Sequence, residues 1–210
     1  MTKIEKEFPD YNWEDDKTQT NNILHKLNKI LNDIKPHELT HLDVGCGNGA
    51  ITKKIAKHFK STHGIDTSKE GISFANKNNN NNIEFSCESI DDLLIKNKRF
   101  NFVSTIEVIE HVYDPFHFMN GLYNITENGG YVLISTPYHG YFKNLLISLL
   151  NLNDKHYTVS WPHGHIKFFS VKTLTELINR YNFSIESVNF SGRFYPFSHS
   201  MIFLLKKNKK

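Results

Sequence analysis

Three glycines stand at alternate positions in the stretch Leu42-Asp43-Val44-Gly45-Cys46-Gly47-Asn48-Gly49. Glycine adopts positive φ readily, and a ligand can approach its main chain because it has no Cβ. The apolar residues that open the stretch predict a buried strand. Apolar residues spaced by four over residues 50–59 predict an amphipathic helix after the loop. A strand, a glycine turn and a helix N-terminus together form a binding crevice of the nucleotide type.

The spacing of the glycines narrows the choice of ligand. A dinucleotide-binding loop reads Gly-x-Gly-x-x-Gly and a P-loop needs Gly-Lys-Ser or Gly-Lys-Thr, and neither pattern stands here. A second strand-like run begins at His63 and ends at Asp66. Its position, roughly twenty residues after the loop, would allow the Asp66 carboxylate to accept both hydroxyls of a ribose. The alternative is a tight strand-to-helix turn that binds no ligand.

A second group of reactive side chains follows another predicted strand, residues 101–106. It reads Ile106-Glu107-Val108-Ile109-Glu110-His111-Val112. Two glutamates and a histidine at the end of a strand are costly to bury without a partner or a task. In open α/β sheets, ligands bind at the carboxyl ends of the strands. This stretch is therefore a candidate part of the binding site.

A third group lies in a long insertion rich in aromatic residues, histidine and leucine. Such an insertion could line a substrate pocket, or its leucine and aromatic side chains could simply form its own core. For most of them the packing role is the better interpretation. The exceptions are Tyr138, His139, His163 and His165, because histidines are seldom gathered this densely without a titrating or ligand-binding role.

The sequence Asp-x-Gly-x-Gly-x-Gly with Asp66 resembles motif I and the acidic strand end of the class I S-adenosylmethionine-dependent methyltransferases. The run from Ile106 to His111, with Gly129-Gly130 and Ser135-Thr136-Pro137, resembles the branch that includes the ubiquinone-biosynthesis O-methyltransferases. The resemblance extends from Tyr11-Asn12-Trp13 to the C-terminal tail. It is specific for fold and cofactor but not for substrate, because the branch also contains enzymes that act on sugars, lipids and secondary metabolites.

The resemblance implies S-adenosylmethionine as cofactor and S-adenosylhomocysteine as product. Asp66 would hold the ribose, and the main chain of residues 45–49 would approach the methionine part. Asp43 would either contact the ammonium group or brace the loop. Glu88 or Ser89 would approach the adenine, between Ile90 and Ile106. The residues assigned to the cofactor are Asp43, Gly45, Cys46, Gly47, Asn48, Gly49, Asp66, Thr67, Glu88, Ser89, Ile90, Ile106 and Glu107.

Methyl transfer from a sulfonium needs little covalent help from a protein. The cofactor brings its own leaving group, so the enzyme aligns the acceptor and, for a hydroxyl, removes its proton. The expected base is His111 or His165, because histidine titrates near working pH. Glu110 and His139 are further catalytic candidates. His111 could instead be a helix cap or a supporting residue.

A metal site is an alternative for the same residues. Glu-x-x-Glu-His with a later histidine is similar to the metal site of the small-RNA 3′-terminal 2′-O-methyltransferases. Glu107, Glu110, His111 and either His165 or His163 could hold Mg²⁺ or another divalent ion, which would lower the pKa of a bound hydroxyl. The same run also occurs in metal-independent members of the branch, so we favour a site without a metal. RNA is a less favoured acceptor because the basic excess is modest.

The order of predicted elements is that of a doubly wound α/β sheet. The resemblance adds seven strands, a Rossmann-like order, an antiparallel last hairpin and helices on both faces. We expect one methyltransferase domain over residues 1–210, with an N-terminal cap segment at 1–35 and an acceptor lid at 138–170 after strand five. The predicted helices cover residues 21–34, 50–59, 68–77, 115–126 and 171–181. The later predicted strands cover residues 63–66, 83–86, 101–106, 131–135, 184–190 and 201–205, with a turn at Gly129-Gly130.

Composition is that of an ordinary globular protein. The chain has 210 residues, a net charge of +3 and two cysteines far from any metal-binding spacing, which favours a reducing cytoplasm. Residues 1–16 do not resemble a signal peptide, and no apolar run is long enough to span a membrane. We therefore expect a cytoplasmic methyltransferase, most simply an O-methyltransferase acting on a small-molecule or lipid-like acceptor. A non-catalytic S-adenosylmethionine-binding regulator stays open, a dehydrogenase is disfavoured by the glycine spacing, and the oligomeric state is not predicted.

Overall fold

A computed structural model describes residues 18–77, 82–157 and 164–209, with side chains from residue 22 onward. The described residues contain one sheet with the strand order β3-β2-β1-β4-β5-β7-β6. Strands β1 to β5 are parallel, and β7 runs antiparallel between β5 and β6. This confirms the predicted doubly wound sheet with its antiparallel last hairpin. The strands are β1 (Thr40–Val44), β2 (Ser61–Asp66), β3 (Ile83–Cys87), β4 (Phe100–Ile106), β5 (Thr126–Pro137), β6 (Phe183–Ser191) and β7 (Ser200–Lys207).

Four of the described helices begin at a serine or aspartate whose side chain caps them. Ser68 Oγ accepts a hydrogen bond from Gly71 N, and Asp114 Oδ1 accepts from Phe116 N and His117 N, which satisfies amides that a helix leaves unpaired. A short helix at Ile90–Ile95 was not predicted, because six residues are too few to show a helical period. The helices are α1 (Thr18–Ile34), α2 (Ala50–Ile55), α3 (Lys69–Asn76), α4 (Ile90–Ile95), α5 (Pro115–Ile125), α6 (Tyr141–Leu149), α7 (Asn153–Tyr157) and α8 (Val171–Ile178).

Two apolar layers cover the sheet. One joins the strands to α4, α5 and α8 through residues such as Leu93, Leu122 and Leu174. The other joins them to α1 and α2, and Leu27 and Leu31 of α1 are almost fully buried in it. The helix inside the predicted cap segment is therefore part of the core. The division into cap, domain and lid stays a prediction, and its residues 1–17 and 158–163 lie outside the described part.

Two local predictions were wrong in detail. Gly129-Gly130 was predicted as a turn, but both residues lie within β5, where the pairing jumps from Phe100–Thr126 to Phe102–Tyr131. The extra residues form an irregularity within the strand, which a glycine pair tolerates as well as it does a turn. The helix predicted over residues 50–59 ends at Ile55 and continues as a 3-10 turn at Ala56–His58.

None of the helices in the described part of the chain is both long enough and apolar enough to cross a bilayer.

Candidate functional site

The glycine loop leaves β1 in a conformation that only glycine adopts without strain. Gly45, Gly47 and Gly49 have φ values of 77°, 54° and 72°. The amides of Gly45 and Cys46 donate to the carbonyl oxygen of Ile65 at 2.8 and 3.0 Å. The loop is thereby attached to the end of β2, the strand that carries Asp66.

The Asp66 carboxylate links the two predicted cofactor motifs. Its Oδ2 accepts from Gly47 N and its Oδ1 accepts from Ser68 N, both at 2.8 Å. Each carboxylate oxygen has a further acceptor position. The group is therefore oriented by two backbone amides and can still accept hydrogen bonds from a ligand. Thr67, which follows it, is exposed.

Asp43 is buried beneath the loop. Its Oδ1 accepts from Ser104 Oγ at 2.6 Å and its Oδ2 from Thr52 Oγ1 at 2.5 Å. Burial raises the pKa of Asp43 to about 6, although the two hydroxyl donors lower it. His41 Nε2 lies 2.8 Å from Ser104 Oγ and extends the network. Of the two roles predicted for Asp43, these contacts favour bracing of the loop.

The remaining residues assigned to the cofactor differ in how far they are already engaged. Glu88 forms an ion pair with Lys96 and accepts from Ser86 Oγ at 2.6 Å, and the Lys96 contact lowers the pKa of Glu88. Ile90 is buried against Gly121 of α5. The others are placed as follows: Ser89 caps α4, Asn48 Oδ1 accepts from Ala50 N, Cys46 is half-buried, and Ile106 is buried in the α1 layer.

Glu107 occupies the carboxyl end of β4 in an unusual conformation. Its φ is 56°, a value that residues other than glycine rarely adopt. Residues in such strained conformations cluster at functional sites. Its Oε1 accepts from Ser135 Oγ at 2.7 Å and its Oε2 from Ser200 Oγ at 3.2 Å. The carboxylate is thus held between β5 and β7.

Glu110 follows in a 3-10 turn, Ile109–His111, and is fully buried. Its Oε2 accepts from Thr136 Oγ1 at 2.9 Å, whereas its Oε1 has no hydrogen-bond partner in the described part of the chain. Burial and the nearby Glu107 charge raise the pKa of Glu110 well above its usual range. Its carbonyl oxygen accepts from the amides of Ile166 and Lys167, both at 2.9 Å. These two bonds bring the segment that carries His165 beside the end of β4.

The side chains of Glu110, His111 and His165 lie close together, although His111 and His165 are 54 positions apart in the sequence. The ring centroids of His111 and His165 are 4.9 Å apart. One ligand atom from each of the three residues lies within 4.8 Å of the other two, close enough to share one ion. Glu107 is not in this group of described residues, and His163 lies outside the described part.

A cavity of about 540 Å³ opens beside these residues, between the lid helices, the end of β5 and residues 192–199. His139 and His165 line it, whereas His111 is exposed and Glu110 is buried behind the wall. Glu107 also lines it, so the cavity reaches the strand end where the cofactor is predicted. Its described lining consists of Glu107, Pro137, His139, Lys143, Leu146, Ile147, Leu150, Leu152, Lys155, His156, His165, Phe168, Arg193, Phe197, His199 and Ser200.

The sequence interpretation missed several of these lining residues. Arg193 and His199 lie in the connection between β6 and β7, and the sequence carries no local signal that brings them to the lid. Lys143 does have a signal, because it is the one charged residue in the α6 sequence YFKNLLISL. Tyr138, predicted as a lid residue with a possible role, is buried in the α5 layer.

A family described as "Methyltransferase domain" matches residues 16–188 of the chain. The chain belongs to this methyltransferase family. The match covers most of the chain, and it confirms the family and, with the sheet order, the fold expected from the glycine motif.

Relatives of this methyltransferase include ubiquinone biosynthesis O-methyltransferases. One from Coxiella burnetii is 33% identical over 98 residues, 45% of this chain and 42% of the relative. The chain therefore spans less than half the length of that protein. One from Rickettsia bellii is 28% identical over 80% of this chain and 70% of its own. Among solved structures, magnesium protoporphyrin IX methyltransferase from Synechocystis with bound S-adenosylhomocysteine matches with a TM-score of 0.66 and 15% identity, over 90% of this chain and 82% of that one.

Replacing Gly45 by alanine should lower the free energy of unfolding of the methyltransferase by about 2–5 kcal/mol. The positive φ costs about 1–2 kcal/mol for an L-residue. The added Cβ would also lie 2.5 Å from Val108 Cγ2, an overpacking that costs about 1–3 kcal/mol. Urea unfolding of the purified variant measures the loss.

Gly129→Ala is the matched control for that measurement. Gly129 has a φ of 80°, but its added Cβ would meet only the flexible Lys209 side chain, at 3.1 Å. It should lose only the backbone term, about 1–2 kcal/mol. Equal losses in the two variants would show that contact with Val108 does not matter.

Proposed function

We propose that this chain transfers the methyl group of S-adenosylmethionine to a hydroxyl of a small-molecule or lipid-like acceptor. The observation that carries the proposal is the cavity at the edge of the sheet where the glycine loop also lies. Glu107 lines it on the side of the proposed cofactor site, and His139 and His165 form part of its wall. The family match and the S-adenosylhomocysteine bound to the Synechocystis structure support the cofactor. The names of the relatives support a hydroxyl acceptor.

Cofactor binding falls to the two motifs at the ends of β1 and β2. When bound, S-adenosylmethionine supplies an activated methyl group and its own leaving group. Asp66, oriented by Gly47 N and Ser68 N, accepts the ribose hydroxyls. The glycine loop offers its main chain to the methionine part, with Asp43 bracing it from below. Residues 88–90 form the adenine side.

His165 is the base we favour, because it combines access to the cavity with a suitable protonation state. Burial, together with the neighbouring charges of His111, His156 and Lys143, lowers the pKa of His165 to about 4. The imidazole is therefore neutral near pH 7 and can accept the proton of a hydroxyl, but it is a weaker base than the near-neutral histidine expected from the sequence. His139 is the second candidate, and burial likewise lowers its pKa to about 4. His111 contacts the His165 ring and would orient it.

The wall of the cavity favours an acceptor with an apolar part. Leucine, isoleucine and phenylalanine side chains cover one side, and apolar walls with a few polar groups are typical of small-molecule sites. These residues are Leu146, Ile147, Leu150, Leu152, Phe168 and Phe197.

A metal-dependent transferase is the second candidate function. The buried Oε1 of Glu110, without a partner among the described residues, supports it, as does the convergence of Glu110 with His111 and His165. These three side chains fit a divalent ion, which would lower the pKa of a bound hydroxyl in place of a histidine base. An RNA 2′-hydroxyl would be one such acceptor.

Transfer of a labelled methyl group from S-adenosylmethionine into a host extract tests both candidates. The extract is fractionated into lipid, small-molecule and RNA pools, with and without EDTA. Label in the lipid or small-molecule pool that survives EDTA supports the histidine-base proposal. Label in RNA that disappears with EDTA favours the metal-dependent candidate. Binding of S-adenosylhomocysteine with no transfer into any pool would leave a non-catalytic cofactor-binding protein.

The cellular location is part of the proposal. We place the activity in the cytoplasm, and the free cysteines Cys46 and Cys87 agree with a reducing compartment.

A further inference from the structure

The cavity has an excess of positive charge. Lys143, Lys155 and Arg193 line it, and Glu107 is the one acidic residue among the described lining. The Glu107 carboxylate already accepts hydrogen bonds from Ser135 and Ser200. A concave, partly apolar site with charge of one sign concentrates ligands of the opposite sign.

Lys143 is a partly buried cation in this cavity, and its hydrogen bonds go to carbonyl oxygens. Its Nζ donates to the carbonyl oxygens of Tyr138 and Ser198 at 2.8 and 3.3 Å, and no described carboxylate forms an ion pair with it. The pKa of Lys143 is lowered to about 8, chiefly by burial; the Glu107 charge opposes this shift and the Arg193 charge adds to it. The amine is still mostly protonated at pH 7. The Glu107 carboxylate, which also accepts from Ser135 and Ser200, offsets only part of the cost of burying this ammonium.

The influence of Lys143 extends across the whole cavity. Its charge contributes to the lowered pKa of His139, His156, His165 and His199. The ammonium group lines the same cavity as all four of these imidazoles. An anion bound to it would be within reach of the proposed base.

His139 gives an independent indication that the cavity holds a ligand. It is 7% exposed, and the Asn144 side chain is its one hydrogen-bonding neighbour among the described residues, at a geometry too poor to satisfy either ring nitrogen. Its ring packs against those of His156, Tyr157 and Phe168. A buried polar group without a partner is costly unless a ligand or water completes it.

We infer that the methyl acceptor carries an anionic group, a carboxylate or a phosphate, which binds at Lys143 with Arg193 and Lys155 beside it. That the bound anion is the methyl acceptor rests on the proposed function, whereas the anion site itself does not depend on catalysis. The apolar wall formed by α6 and Phe197 then holds the apolar part of the same molecule. The acceptor is thus an amphipathic anion and not a neutral lipid.

Binding of octanoate, octyl phosphate and octanol to the full chain tests the inference by isothermal titration calorimetry. The three probes have the same alkyl chain and differ in charge. We expect both anions to bind at least ten-fold more tightly than octanol, and Lys143→Met to remove that preference while Lys143→Arg keeps most of it. Comparable binding of all three probes, or an undiminished preference in Lys143→Met, would overturn the inference.

Two controls separate this result from other failures. Lys57→Met removes an exposed lysine from the turn after α2 and should leave the preference for anions unchanged. If Lys57→Met lost it as Lys143→Met does, the preference would come from overall charge and the inference would be wrong. Binding of S-adenosylhomocysteine shows that each variant is folded. A preserved anion preference in a protein that transfers no methyl group would support the anion site while contradicting the proposed activity.

Discussion

Replacing His165 by glutamine lowers kcat for methyl transfer roughly 100- to 10,000-fold, the range expected for loss of a general base. Glutamine keeps the size and polarity of the side chain but cannot accept the proton. KM for the acceptor should change far less, because the cavity wall is preserved. Steady-state rates with the acceptor identified by the labelling experiment measure both constants.

The pH profile of the wild-type enzyme provides a second measurement of the same role. The neutral imidazole is the active form, so activity rises with pH through the pKa of His165, which burial lowers to about 4. Above about pH 5 the His165 imidazole is almost entirely neutral. Protonation of His165 should therefore cause no decrease in kcat/KM between pH 5.5 and 7.5. A steep acid limb near the ordinary histidine pKa of about 6.5 would contradict the assignment.

His111→Gln is the comparison that separates the base from the metal site. His111 contacts His165 but does not line the cavity. With His165 as base, His111→Gln should lower kcat by less than about ten-fold, because it removes only a supporting contact. If Glu110, His111 and His165 hold an ion, all three glutamine variants should lose activity to a similar extent and the wild-type enzyme should be inhibited by EDTA.

Replacing Asp66 by alanine should weaken binding of S-adenosylhomocysteine about 100- to 10,000-fold. In the proposed binding mode the variant loses two hydrogen bonds from the ribose hydroxyls to a carboxylate. Each is worth about 1.5–3 kcal/mol, and every 1.4 kcal/mol is ten-fold in affinity. The substitution also releases Gly47 N from the contact that holds the glycine loop. Calorimetric titration with S-adenosylhomocysteine gives the dissociation constant.

Asp91→Ala is the matched control for Asp66→Ala. Asp91 is an exposed aspartate of α4 that pairs with His117 at 3.0 Å. Its loss should leave the dissociation constant unchanged, because exposed ion pairs contribute little. Asp66→Asn should fall between the two, since the amide keeps one acceptor oxygen. Wild-type affinity in Asp66→Ala would show that the cofactor does not bind at the end of β2.

Much of the fold could be predicted because its signals are local. Helical periodicity located α1 and α8, and the helix predicted over residues 68–77 corresponds to α3, which Ser68 caps. The proximity of the glycine loop and Asp66 follows from parallel strands, whose carboxyl ends meet at one edge of a sheet. The seven-strand order with its antiparallel hairpin came from the resemblance to a family and not from periodicity.

The acceptor side depended on contacts between distant parts of the chain. Hydrogen bonds from Ile166 N and Lys167 N to the Glu110 carbonyl turn His165 towards the cavity. The connection between β6 and β7 brings Arg193 to the cavity that Lys143 also lines. The sequence alone marked His111 and His165 as equal candidates, since residue type and spacing do not reveal which side of a wall a side chain faces. Burial and orientation arise only when the lid packs on the sheet, and these decide which histidine can meet a substrate and which lysine is partly buried in the cavity.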